Sequence, residues 1–259
     1  MKIFATYNIK GGVGKTSAAV NLAHLAARSG YNALLWDLDP QGAATYLFRV
    51  RPKVKGGSRA LVEGTRSLDD AIKATDFDGL DLVPADFRYR NLDVQLDDMR
   101  RPTRRIRELL RPLMSQYDTV FLDCPPSISL LSENVLHAAD AIIVPLLPTP
   151  LSVRMLVQLQ DFITAKGWTD LKLLPFFSMV DRRKSLHHDI IAKAREQFPT
   201  LLVTEVPYSS EIERMTLRRA PIPAFAPRSP AAQIYSALWA ELTAALRLAG
   251  STPPALVTG

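Results

Sequence analysis

A chain of 259 residues, 47% hydrophobic and 22% charged, is long enough to bury a full core, and an open α/β sheet can fill that span as one unit. One cysteine, Cys124, excludes an intramolecular disulfide framework, and no stretch reaches the roughly 18–20 apolar residues that cross a bilayer. The net charge of +6 favours a polyanionic partner, and Met1 leading straight into apolar residues gives the expectation of a soluble, cytoplasmic protein without a secretory leader.

A strand is expected over about 2–8, where Ile3-Phe4-Ala5-Thr6-Tyr7 is mostly apolar. It runs into Lys10-Gly11-Gly12-Val13-Gly14-Lys15-Thr16-Ser17 and a helix over about 15–29 that Gly30 stops. Strand, glycine-rich loop and helix in this order make a phosphate cradle. The glycines let the backbone turn its N–H groups toward phosphate oxygens, Lys15 reaches the outer phosphates, and the Thr16 hydroxyl is a Mg²⁺ ligand. The positive end of the helix faces the same anion. Gly11, Gly12, Val13, Gly14, Lys15, Thr16 and Ser17 are therefore the nucleotide-binding candidates.

A buried strand over about 32–37 ends in Asp37-Leu38-Asp39-Pro40-Gln41-Gly42, and a short helix follows at 42–48. Residues 49–66 are basic, contain glycine and lack a clean period, so they read mostly as loop. Ser67 is positioned to cap a short helix at 68–74, residues 80–84 form a short strand, and helical patterning covers about 89–99 and 103–116, broken by Pro102. A strand at 118–124 delivers Asp123 to its C-terminal end, where a carboxylate beside phosphate can hold the Mg²⁺ shell. Cys124 reads as a small buried residue.

A helix at 129–138 precedes three strand–helix pairs, at 140–146 and 151–165, 171–177 and 185–197, and 201–206 and 209–218. A final helix spans about 230–248, with Ser229 as cap and Pro230 in its first turn. The alternation predicts a three-layer α/β fold, a mostly parallel twisted sheet with helices on both faces. It forms one domain over 1–250, and the tail at 251–259 is expected to fray. Right-handed crossovers bring the phosphate loop and both strand-end acids to one sheet edge.

Lys10 sits five residues before the usual loop lysine, and a single nucleotide gives it no task in its own site. With the loop KGGVGKTS the chain resembles the ParA/MinD family of deviant Walker ATPases. Asp37-Leu38-Asp39-Pro40-Gln41-Gly42 is similar to the family's switch I, and residues 117–127 are similar to its Walker B strand and switch II. The resemblance implies two ATP molecules sandwiched in a homodimer, with Lys10 touching the partner's phosphates. It implies that Asp39 positions the attacking water and helps bind Mg²⁺ through water. It places Asp181 near the adenine and Pro207 at the strand end that shapes the adenine pocket.

Small family members bind DNA without sequence preference in the ATP state, and a ParB-like or cargo-adaptor protein stimulates their slow hydrolysis. The DNA-binding candidates here are Arg182, Arg183 and Lys184 after a strand, and Arg214, Arg218 and Arg219 on a predicted helix and its end. A denser run, Arg100, Arg101, Arg104, Arg105, Arg107 and Arg111, is a further basic surface. The segment 211–215 departs from the VRLSEAP-like stretch of chromosome-partition members, which loosens any transfer of their DNA contacts. A helix-turn-helix module before the first strand is not expected, and the last helix shows no basic amphipathic face for a membrane. Alternatives on the same scaffold are a MinD-like membrane-cycling ATPase and a metabolic ATP-dependent enzyme. One cysteine rules out iron-protein cluster ligation.

Overall fold

β1 (Lys2–Thr6) lies inside a sheet in which, among the described residues, eight strands run in the order β3-β4-β2-β5-β1-β6-β7-β8. The others are β2 (Ala33–Asp37), β3 (Lys73–Ala74), β4 (Leu80–Val83), β5 (Thr119–Asp123), β6 (Ala141–Leu146), β7 (Lys172–Val180) and β8 (Val206–Pro207). Every neighbouring pair is parallel except β3 with β4. The computed structural model describes residues 1–52, 54 and 56–246.

The central strands are apolar almost throughout because helices cover both faces. Alternate residues of each strand feed two separate cores. Ile3, Ala5, Leu34, Trp36, Val120 and Leu122 point to one side. That side is closed by α3 (Gly57–Val62), α4 (Leu92–Asp97), α5 (Arg105–Leu110), α6 (Leu130–Ala138), α7 (Pro150–Ala165) and α8 (Ser185–Gln197). Phe4, Leu35, Phe121 and Ile143 point to the other. There α1 (Lys15–Arg28), α2 (Ala43–Leu47), α9 (Ser210–Arg218), α10 (Ile222–Phe225) and α11 (Pro230–Leu246) pack.

The alanine-rich face of α1 lets it sit close to the sheet, while α11 supplies the bulk. Phe4 stacks on Phe121 at 4.9 Å between ring centroids, and Trp239 meets Phe4 edge-on at 6.0 Å. The Trp239 indole N–H donates to Ser29 Oγ at 3.1 Å, so its polar atom is satisfied. Each such fully buried side chain contributes about 1.5–3 kcal/mol of hydrophobic stabilisation.

Four local expectations are corrected. Residues 49–66, expected mostly as loop, contain one short helix, α3, capped by Gly56 and opening at Gly57, both left-handed (φ 83° and 73°); it is too short to show a period. The segment 68–74 is not a helix but a 3₁₀ turn, Asp69–Ala71, followed by edge strand β3. Ser67 Oγ accepts from Asp69 N in a two-residue turn, and Ile72 goes extended. The patterns at 89–99 and 103–116 are shorter helices, α4 and α5, each joined to a 3₁₀ turn (Phe87–Asn91 and Arg111–Leu113), the second around Pro112. The strand expected at 201–206 shrinks to β8, because Glu241 takes the N–H groups of Val203 and Thr204. The helix α10 has four residues and no signal in the pattern. The expected end of the last helix at 247–248 and the tail at 251–259 lie outside the described residues.

Candidate active site

The register sets three polar side chains in a row at the C-terminal sheet edge: Thr6 pairs with Asp123, and Asp123 with Asp37. The loop after β1 rises beside them. Asn8 fixes its start, donating through Nδ2 to Pro145 O at 2.7 Å and accepting the Lys10 N–H at 2.8 Å. Gly12 and Gly14 then take φ of 72° and 95°, the left-handed region that glycine enters freely. A Cβ on Gly14 would also lie 3.1 Å from Ser178 Oγ. Gly14 caps α1 with no side-chain hydrogen bond, which leaves the first-turn N–H groups of α1 directed at the loop.

Lys15 is buried, and its ammonium donates to the Lys10 main-chain oxygen at 3.0 Å. Burial pulls its pKa down, and the charges of Asp123, Cys124 and Asp39 pull the other way. The Lys10 side chain is exposed, as are Gly11 and Gly12, while Val13 is buried beneath them. Thr16 and Ser17, half-buried, open the helix.

Asp123 is fully buried. Its Oδ1 accepts from Thr6 Oγ1 at 3.3 Å, and its Oδ2 has no hydrogen-bond partner among the described residues. Burial, then repulsion by Asp37, pushes its pKa up to about 8, against the hydroxyls of Thr16 and Thr6. A buried carboxylate with an orphaned oxygen next to a threonine hydroxyl is the environment a Mg²⁺ shell completes, so the residues fit the ion.

Asp37 has a different task. Its Oδ2 accepts from Thr45 N at 2.8 Å and Thr45 Oγ1 at 2.7 Å, and its Oδ1 from Asp39 N at 3.3 Å. It ties the turn to α2, and burial raises its pKa. Asp39 is half-buried, and its Oδ1 accepts the Gln41 N–H at 2.9 Å. Its carboxylate stands at the strand end beside the phosphate loop, close enough to act on Lys15. Cys124 is buried, and burial followed by Asp123 raises its thiol pKa, so it is inert.

Asp181 and Pro207 close the β7–β8 end of the same edge, where Met179, inside β7, is left-handed (φ 55°) at an irregularity of the β7–β8 register. The Asp181 carboxylate is already engaged. Oδ1 accepts from Arg183 N and Nε at 3.1 and 2.9 Å, and Oδ2 from Nη2 at 2.9 Å. Arg183 is thereby paired, whereas Arg182 and Lys184 are exposed, with Lys184 near enough for its charge to act on the Asp181 carboxylate. Arg214 and Arg218 are exposed and four apart on α9, hence on one face. Arg219 turns away from them. Its Nε donates to Tyr46 O at 3.0 Å, and its guanidinium lies 4.5 Å over the Tyr46 ring. Sequence reasoning missed Asn8, Thr45 and Ser178. Only Asn8 had a signal, a short amide two residues before the loop lysine it holds.

Residues 1–168 match the family model described as AAA domain, AAA_31. The chromosome partitioning protein ParA of Myxococcus xanthus is 31% identical over 247 residues, covering 93% of this chain and 87% of that one. The sporulation initiation inhibitor protein Soj of Bacillus subtilis is 30% identical over 249 residues, covering 94% and 98%. Among solved structures, cobyrinic acid a,c-diamide synthase from Mycobacterium smegmatis with bound ATP analog and magnesium superposes with a TM-score of 0.82 at 25% identity, covering 99% of both chains.

Proposed function

The chain belongs to the ParA/MinD family of P-loop ATPases, with ATP and Mg²⁺ as its ligands, and we propose that it acts there as a dimerising, DNA-bound positioning switch. The nucleotide phosphates are held by the loop from Gly11 to Ser17, with Lys15 on the outer phosphates. Thr16, Asp123 and, through water, Asp39 hold the metal, which when bound offsets charge developing on the phosphates. Asp39 also orients the attacking water. Asp181 and Pro207 border the base.

One observation carries the dimer: Lys15 is anchored to the Lys10 backbone while the Lys10 side chain is free in solvent. A cation held at the mouth of its own site without a partner there is suited to a second subunit's phosphates. In the closed homodimer the exposed cations Arg182, Lys184, Arg214 and Arg218, with Arg183 and Arg219 at the edges, meet nonspecific duplex DNA. Pairing two copies doubles the phosphate contacts, so affinity rises steeply with ATP. A ParB-like or cargo-adaptor partner stimulates hydrolysis, the dimer opens, and the cargo moves on the nucleoid. This reading places the protein in the cytoplasm as one domain over 1–250. Among the described residues no helix is long and apolar enough to cross a membrane.

The likeness to the synthase supports a second reading, a metabolic ATP-dependent enzyme. Binding to nonspecific duplex DNA with ATP, ADP or no nucleotide, across a salt series, separates the two. ATP-dependent binding that falls with salt, absent in Lys15→Gln, is the expected result. Equal or absent binding in all three states overturns the positioning switch.

A further inference from the structure

Strand β7 has nine residues, yet β8 meets it only at Ser178 and Val180. Leu202 N adds one bond, donating to Pro175 O at 2.8 Å. Between Lys172 and Pro175 no strand among the described residues lies beside β7 on that side. In a parallel sheet successive residues turn their main-chain groups to opposite neighbours. Lys172 N donates to Asp140 O at 3.0 Å, on the β6 side, so Leu173 turns its N–H and C=O to the open side. Pro175 faces that side too, but has no N–H to leave unpaired. The first half of β7 is therefore a bare sheet edge, a template for a further strand.

This edge lies in a groove of about 770 Å³. Leu173 and Leu174 form its floor, and Ile163 of α7, Trp168, Leu201 and Ala244 of α11 form its walls. The two charged side chains that line it are occupied. Lys172 Nζ donates to Ala245 O at 2.6 Å, and the Glu241 carboxylate accepts the N–H groups of Val203 and Thr204 at 2.7 and 2.9 Å. What remains is an apolar trough with main-chain hydrogen-bonding groups along its floor. An extended apolar segment satisfies both features, pairing through its backbone and burying its side chains.

We propose that residues 255–258 of this same chain, Ala255-Leu256-Val257-Thr258, fill the groove as a strand added to β7 at Leu173. The connection favours this occupant. The Lys172–Ala245 bond sets the end of α11 against the first residue of β7, so the chain that follows Leu246 sets out at the foot of the groove. A segment running on from there lies parallel to β7, as the neighbouring strands do. Its composition fits: residues 248–259 contain no charged side chain, Pro253-Pro254 favours extended backbone, and the four residues after it are apolar or β-branched. A tethered segment also has the advantage of proximity over any free one. The added strand covers an edge that otherwise invites pairing with other chains.

The test compares wild type, a chain ending at Gly250, and full-length Leu256→Asp/Val257→Asp. Amide hydrogen exchange at Leu173 reads the strand. With an effective concentration on the order of 1 mM and a Kd of about 0.1 mM, exchange at Leu173 should be about tenfold slower in wild type than in both variants. Iodide quenching of tryptophan fluorescence reads the groove, because Trp168 is half-buried in its wall while Trp36 and Trp239 are each 2% exposed. Quenching should rise in both variants. A free peptide of residues 251–259, at about 1 mM, should restore slow exchange and weak quenching to the chain ending at Gly250, and its Leu256→Asp counterpart should not. Equal exchange in all three chains overturns the proposal, including the case where only quenching changes, since the segment then covers Trp168 without pairing. Protection that is lost on about tenfold dilution, together with a dimer in sedimentation, overturns it as well, because the strand then comes from a second copy. ATP binding at the opposite end of the sheet should be unchanged in all three chains. Neither readout depends on nucleotide or DNA, so the result stands apart from the positioning-switch reading.

Discussion

The Lys15 ammonium donates to the main-chain oxygen of Lys10 at 3.0 Å, so the two lysines of one loop are joined through backbone and not through both side chains. Removing the Lys10 side chain leaves that bond intact. Lys10→Ala is therefore expected to bind a fluorescent ATP analogue within about threefold of wild type, while turnover falls on the order of 100-fold if Lys10 serves, as proposed, a second subunit's phosphates. Phosphate release and equilibrium binding on the same sample separate the two effects. A variant that no longer binds ATP would show Lys10 acting within its own site.

Thr45 is the hinge pin of the switch I turn. Its hydroxyl donates to Asp37 at 2.7 Å and accepts from Ala85 N at 2.8 Å. Thr45→Val keeps the shape and removes both bonds, leaving a buried carboxylate and a buried N–H short of partners. A loss of about 1–3 kcal/mol in urea unfolding is expected, with a drop in hydrolysis as Asp39 loses its support. Unchanged stability would show that water replaces the hydroxyl.

Gly14 faces two separate constraints, a φ of 95° and a Cβ position 3.1 Å from Ser178 Oγ. Gly14→Ala should lower ATP affinity at least about tenfold by moving the loop's N–H groups. Adding Ser178→Ala removes the contact but not the backbone strain, so affinity should stay low. Full recovery in the double variant would mean that crowding alone forbids a side chain there.

The phosphate loop, the two strand-end acids and the layer order were legible because they depend on local pattern: apolar runs, glycines at a turn, a carboxylate at a strand end. The roles of the acids divide only in three dimensions. Asp37 and Asp123 look alike in sequence, yet Thr45 saturates one and burial orphans an oxygen of the other. The fate of Arg219 was equally hidden, since its spacing from Arg214 and Arg218 says nothing of the exposed ring of Tyr46 that draws it aside. The strand at 201–206 failed for the same reason: a carboxylate from α11, far along the chain, competes for its N–H groups.

His24 gives a stability test over a defined pH window. It lies in α1 with both ring nitrogens buried and unpartnered among the described residues, its ring edge-on to Phe77 at 4.8 Å. Burial, helped by Arg28, lowers its pKa from 6.5 to about 4. Between those values the unfolded chain binds a proton that the folded chain refuses. Stability from this group is therefore complete above about pH 6.5 and declines as pH falls toward 4, by about 1.4 kcal/mol per pH unit and about 3 kcal/mol in all. Asp37 and Asp123 slope the other way. Their folded pKa values are raised, so the folded state takes up protons first and gains stability as pH falls through part of the same window. Asp86 does not interfere. Burial is outweighed there by Arg88 and the N–H groups of Val54 and Arg88, which hold its pKa at about 2, so its contribution is lost only at lower pH. The readout is thus the difference between wild type and His24→Leu in urea midpoints from pH 7 to pH 4. The two curves should converge or cross as pH falls, with the variant gaining on wild type. Parallel curves would show that His24 takes up its proton without opening the α1 face.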